Sequence, residues 1–153
     1  MKSCFFIGHR DTGCEIYPML VDEVERHITE YGVTDFVVGC YGAFDRMATQ
    51  AVKTAKERYP DVRLTILLPY YPSGRIVQMP DGIDGTFYPP GMESVPKRLA
   101  IVRANRYMVD HSTHLIACVK HPSNGSREVL EWALKRQKRG LMHVTNLMGW
   151  YPL

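Results

Sequence analysis

At 153 residues and 45% hydrophobic content, the chain can bury one sizeable core but has no room for a second full domain. A formal net charge of +3 suits an anionic small molecule and falls short of a committed duplex-DNA binder. The apolar run at the amino terminus is too short for a signal sequence, and nothing later reaches the roughly 18 apolar residues of a membrane span, so a soluble, cytoplasmic protein is expected. Cys4, Cys14, Cys40 and Cys118 form no CxxC pair, and two of them sit in apolar strand-like runs, as small hydrophobes do. A reducing compartment fits this pattern. Neither a metal centre nor a resident cofactor is expected.

The first apolar run, residues 4–7, breaks at Gly8-His9-Arg10 and is followed by a helical pattern through Ile16, Leu20, Val21, Val24 and Ile28. Gly32 closes that helix. A second strand at 36–38 stops at Gly39, a helix occupies 44–59 until Pro60, and 62–68 reads as a third strand rich in aliphatic and β-branched residues. Residues 69–96 differ, with Pro69, Pro72, Pro80, Pro89, Pro90 and Pro96 interleaved with tyrosines and glycines. They read as an irregular excursion holding one short strand near 86–88, either a lid over a ligand or surface decoration. Regularity returns with a helix at 97–109, a strand at 114–119, a helix at 126–138 and a last short strand at 142–145. Strands alternating with helices imply parallel pairing, right-handed crossovers and a single α/β domain with helices on both sheet faces.

Three strand-to-helix junctions offer small residues and backbone donors where a parallel sheet presents its carboxyl ends, which is where open α/β folds take ligands. At the first, Gly8 permits a sharp turn while His9 and Arg10 leave the strand tip; Arg10 either grips a phosphate by two hydrogen bonds or pairs with Asp11 or Glu15. The second, Gly39-Cys40-Tyr41-Gly42-Ala43-Phe44-Asp45, runs into a helix whose first amides suit an anion, or is a tight turn with Asp45 placed favourably in the first helical turn. The third, His121-Pro122-Ser123-Asn124-Gly125-Ser126, supplies side-chain donors and a glycine for close phosphate approach, or a helix cap and turn. Convergence of all three on one edge is the expectation.

These motifs, together with Arg103-Ala104-Asn105-Arg106-Tyr107-Met108-Val109-Asp110-His111-Ser112 before a strand and the Gly-Ser turn that follows, resemble the YpsA/YoqJ group of the SLOG superfamily. The resemblance spans nearly the whole chain and is most specific over 105–117. It implies a Rossmann-like sheet and a site for a nucleotide or nucleotide-derived molecule, with Asn105 among the binding residues. The superfamily also contains the LOG-type nucleotide phosphoribohydrolases and the DprA DNA-processing proteins. The LOG loop is Pro-Gly-Gly-x-Gly-Thr-x-x-Glu; here Pro122 to Val129 lacks the double glycine, Val129 falls where the glutamate belongs, and Glu128 lies one position early.

Three functions follow as expectations. The leading one is binding or sensing of a phosphate-bearing nucleotide, with phosphate against the 39–45 and 122–126 loops and Arg10 neutralising charge. The second is N-glycosidic hydrolysis of a nucleoside monophosphate, with Glu128 or Asp45 stabilising the sugar cation and Arg103 or Arg106 holding phosphate. The third is DprA-like single-stranded nucleic-acid binding through Lys135, Arg136, Lys138 and Arg139 and the tyrosines of the excursion. A homo-oligomer that covers the apolar helices is left open.

Overall fold

The computed structural model describes residues 1–70, 81–120 and 125–148. Among the described residues, six parallel strands are joined by four α-helices: β1 (Ser3–Gly8), α1 (Tyr17–Thr29), β2 (Asp35–Val38), α2 (Gly42–Arg58), β3 (Arg63–Leu67), β4 (Gly85–Phe87), α3 (Ala100–His111), β5 (His114–Cys118), α4 (Gly125–Lys138) and β6 (His143–Asn146). Each expected element is present, with ends shifted by one or two residues; the first turn of the 97–109 helix is a separate tight 3-10 turn, Lys97–Leu99. Of the excursion at 69–96, residues 71–80 lie outside the described residues, so its reading as a lid does too in part; the remainder supplies β4 and a 3-10 turn, Met92–Ser94.

The strand order is β4-β3-β2-β1-β5-β6. The chain lays down four strands outward in one direction, then returns through α3 to place β5 on the free side of β1. The register follows, with Phe6 beside Ile116 and Cys4 beside Phe36. Because β1 and β5 are covered on both faces, their sequences Ser-Cys-Phe-Phe-Ile-Gly and His-Leu-Ile-Ala-Cys are nearly continuous apolar runs rather than alternating ones. On one face Cys4, Phe6, Phe36 and Ile116 meet Leu20 and Val24 of α1 and Phe44, Ala48 and Val52 of α2. On the other, Phe5, Ile7, Leu115 and Ala117 meet Ala104 and Met108 of α3 and Leu130 and Ala133 of α4. The result is an α/β three-layer, Rossmann-like sandwich.

The amino-terminal rim of the sheet carries an aromatic cluster. His27 is fully buried, with its ring centroid 4.9 Å from Tyr31 and 5.5 Å from His114. Its Nδ1–H donates to the Glu23 carbonyl at 2.9 Å, while Nε2 has no hydrogen-bond partner among the described residues. Burial pulls the imidazole down to about 4, and the neighbouring His114 and His143 push the same way. Among the described residues no helix is long and apolar enough to cross a membrane.

Candidate functional site

The topology puts its switch point between β1 and β5, where crossovers leave in opposite directions and open a crevice at the strand tips. The tip of β1 is shaped by Gly8: a Cβ there would collide with the Phe44 ring, so only glycine lets the strand press against the first turn of α2. The next residue, His9, is 8% exposed, and its Nε2 accepts the Lys120 N–H at 2.9 Å. Thr12 Oγ1 donates to the His9 carbonyl at 2.8 Å and closes the turn behind it. Arg10 is left exposed, with its guanidinium carbon 5.9 Å from the Tyr41 ring centroid.

The 39–45 junction locks onto that turn. Gly42 has φ +84°, and a Cβ on it would lie 2.6 Å from the Arg10 Cα. The Ala43 N–H donates to the Arg10 carbonyl at 2.8 Å, and the Tyr41 N–H donates to Asp45 Oδ2 at 2.9 Å. These two amides are committed within the protein. The junction therefore contributes the placement of Arg10 and a half-buried carboxyl rather than Tyr41 and Ala43 amides free to meet an anion. Burial pushes Asp45 up to about 6, against the Tyr41 amide and the charge of Arg46, which both hold it down.

At the third junction, Ser126 Oγ donates to the Gly8 carbonyl at 3.1 Å, fixing the amino end of α4 beside the β1 tip. Among the described residues nothing lies within 4 Å of where a Cβ on Gly125 would sit. Ser123 and Asn124 lie outside the described residues.

All three junctions border one cavity of about 430 Å³, whose walls include Gly8, Arg10, Gly39, Asp45, Gly125 and Ser126. His9, Tyr41 and Asn105 line it as well. Arg98, Ile101 and Val102 complete the α3 side. Reading the sequence for motifs passes over these three, yet a signal exists: 98, 101, 102 and 105 fall at spacings of three, four and seven, one helical face with Asn105. The helix amino end and Arg10 and Arg98 offer positive potential, with Asp11 and Asp45 opposing it.

Arg103 and Arg106 are placed elsewhere, in a separate cavity of about 580 Å³ with Pro89, Met92 and Tyr107. Arg106 lies 4.4 Å over the Trp132 ring, whose Nε1–H donates to Asp110 Oδ1 at 2.7 Å. Glu128 is exposed on α4 and lines neither cavity. Lys135, Lys138 and Arg139 are exposed at the far end of α4, about 20 Å of helix from Gly125. Among the described residues no group of three or more histidines, cysteines or carboxylates is placed to hold a metal ion.

No protein-family model matches the chain, and no curated protein does. Solved structures do. The DNA processing protein A (DprA) of Streptococcus pneumoniae superposes with a TM-score of 0.61 at 14% identity, over 97% of this chain and 60% of its own. DprA of Helicobacter pylori, described for its single-stranded DNA binding mode, gives 0.56 at 16% identity over 90% of this chain and 62% of its own. The molybdenum cofactor carrier protein of Chlamydomonas reinhardtii gives 0.57 at 16% identity over 97% of this chain and 93% of its own. The chain thus spans about three fifths of the length of the DprA proteins it matches. At these identities the likeness is one of fold, and the chain has a DprA-like, Rossmann-type architecture.

Proposed function

We propose that the chain is a single cytoplasmic ligand-binding domain of the SLOG superfamily, akin to the YpsA/YoqJ group, that binds or senses a phosphate-bearing nucleotide or nucleotide derivative in the switch-point cavity. The observation that carries this reading is the meeting of three sequence-distant junctions around one cavity that holds Arg10, Arg98 and the amino end of α4. The amino end of α4 at Gly125 and Ser126, where no described residue would crowd a Cβ on Gly125, is the place for phosphate, with Arg10 closing from the β1 side. The fold likeness to a cofactor carrier and to DNA-processing proteins is compatible with a binding role. A thermal-shift screen with nucleotides, cyclic nucleotides and ADP-ribose derivatives tests it: at least one raises the melting temperature in the wild type and loses that effect in Arg10→Ala. A flat screen removes the reading.

Single-stranded nucleic-acid binding is the second reading, favoured by the fold shared with the DprA proteins. Its basic residues Lys135, Lys138 and Arg139 lie at the far end of α4 from the cavity, so it calls on a different face. It predicts oligonucleotide binding that weakens steeply with salt and survives Arg10→Ala.

A further inference from the structure

The amino-terminal rim, at the opposite end of the sheet from the cavity, brings together the imidazoles of His27 of α1, His114 of β5 and His143 of β6, with ring centroids 5.5, 6.3 and 5.7 Å apart in pairs. Tyr31 closes the group, stacked on His114 at 5.5 Å and lying 4.9 Å from His143. Hydrogen-bond partners fix where the ring proton sits on two of the histidines. His27 Nδ1–H donates to the Glu23 carbonyl. Thr113 Oγ1 gives its single proton to the Ser3 carbonyl at 3.0 Å, so in its 2.8 Å contact with His114 Nδ1 the imidazole is the donor. Both rings therefore keep Nε2 bare, and any further proton must enter there. The buried His27 Nε2 has no acceptor or donor beside it among the described residues.

The described charged groups around the cluster do not favour that proton. Glu23 Oε1 lies 3.3 Å from His27 Nδ1, the nitrogen that already carries a hydrogen, and Glu30 is taken up by Arg26 at 2.9 Å. Lys2 Nζ donates to the Tyr31 carbonyl at 2.7 Å, and the Arg26 guanidinium carbon lies 5.5 Å from the Tyr31 ring centroid, so both add positive charge. Burial lowers His114, and His143 and Lys2 push it the same way. Strand β6, at the edge of the sheet, is fastened unequally. At its amino end the His143 N–H donates to the Thr113 carbonyl at 2.9 Å and the Val144 N–H to Gln137 Oε1 at 2.7 Å. At its far end the Asn146 side chain bonds both the N–H and the carbonyl of Val119, and the Leu147 N–H donates to the Ala117 carbonyl at 2.7 Å.

We infer that His27, His114 and His143 form one proton-operated catch on β6: acid frees the amino end of this edge strand from β5 while the end at Asn146 stays fastened. When the amino end lifts, His114 gains water and its ordinary affinity for a proton, so the lifted form protonates first and grows in population as pH falls below about 6.5. The inference is independent of what the strand-tip cavity binds.

Amide hydrogen exchange of the full chain, followed by NMR and corrected for the intrinsic pH dependence of exchange, reads the catch. Between about pH 7 and 5.5 the protection of the His143 amide is expected to fall about five- to tenfold, the worth of one proton taken up on lifting, while that of Leu147 changes by less than about twofold. His143→Gln, at an exposed position, should cut the fall at position 143 to below about threefold and raise the pH at which His114 titrates. Ring nitrogen shifts should place the proton on Nδ1 of both His27 and His114 at about pH 7.5. Equal loss of protection at both ends of β6, no loss at either, an Nε2–H tautomer in His27 or His114, or a His114 titration unmoved by His143→Gln would each overturn the inference.

Discussion

His9 Nε2 accepts the backbone N–H of Lys120 at 2.9 Å, so the tips of the two strands that flank the crevice are joined by one side chain 8% exposed to solvent. That bond requires an unprotonated Nε2, with the ring proton on Nδ1. Replacing His9 by Ala leaves the Lys120 amide without this acceptor and opens a small void. Stability should fall by about 1–3 kcal/mol, measured by urea unfolding. A loss below about 0.5 kcal/mol would mean that the bond does not hold the strand tips together.

Two glycines in the site should respond oppositely. Gly42→Ala forces a side chain onto a left-handed backbone and into the Arg10 Cα, so it should cost more than about 1 kcal/mol and shift Arg10 away from the cavity. Gly125→Ala meets nothing within 4 Å and should leave the melting temperature within a degree or two of wild type. Its effect should appear only in phosphate binding. Equal destabilisation by both would contradict the local geometry at one of them.

Arg10 and Arg98 approach the cavity from different elements, and both are exposed. Each alanine variant should keep its unfolding midpoint in urea while weakening phosphate-ligand binding by roughly tenfold to a hundredfold, the worth of a charge-assisted contact. Calorimetric titration of the two variants and their double mutant reads this. Non-additive losses are expected for two contacts that share one anion; unchanged affinity in Arg98→Ala would restrict the site to the β1 side.

The pH dependence of stability should hold two opposing contributions. His27 titrates near 4 in the folded chain against about 6.5 unfolded, so the unfolded state takes up its proton first and stability falls as pH drops from 6.5 towards 4. Asp45 titrates near 6 folded against 3.8 unfolded, so here the folded state protonates first and stability rises as pH drops from 6 towards 4. At about 1.4 kcal/mol per unit each contribution is on the order of 3 kcal/mol, and they offset one another between pH 4 and 6. Asp45→Asn should steepen the acid loss and His27→Gln should flatten it, in unfolding curves taken across about pH 7 to 4.5. Parallel pH profiles in all three proteins would refute both assignments.

The alternation of strand and helix was legible because the two periodicities part company: Phe36-Val37-Val38 is a short unbroken β-branched and aromatic run, whereas Leu20, Val21, Val24 and Ile28 include the three-residue step from Val21 to Val24 that strand alternation does not give. The convergence of the 8–10, 39–45 and 125–126 segments followed from parallel topology alone. What sequence did not reveal was set by contacts across the chain. The Ala43 amide looks like an anion donor until the Arg10 carbonyl is found 2.8 Å away. Arg103 and Arg106, close in sequence to Asn105, point away from its cavity because neighbouring positions on a helix diverge by about 100°. Arg98 shares the face of Asn105 from two turns earlier.

Helix α3 carries Asn105 on the flank that lines the cavity and Arg106 and Asp110 on the flank that grips Trp132. An indole under a guanidinium and bonded to a carboxylate has emission sensitive to both neighbours. A ligand that shifted α3 against α4 would alter that environment, and Trp132, one of the two tryptophans of the chain, would then report it without label or dye.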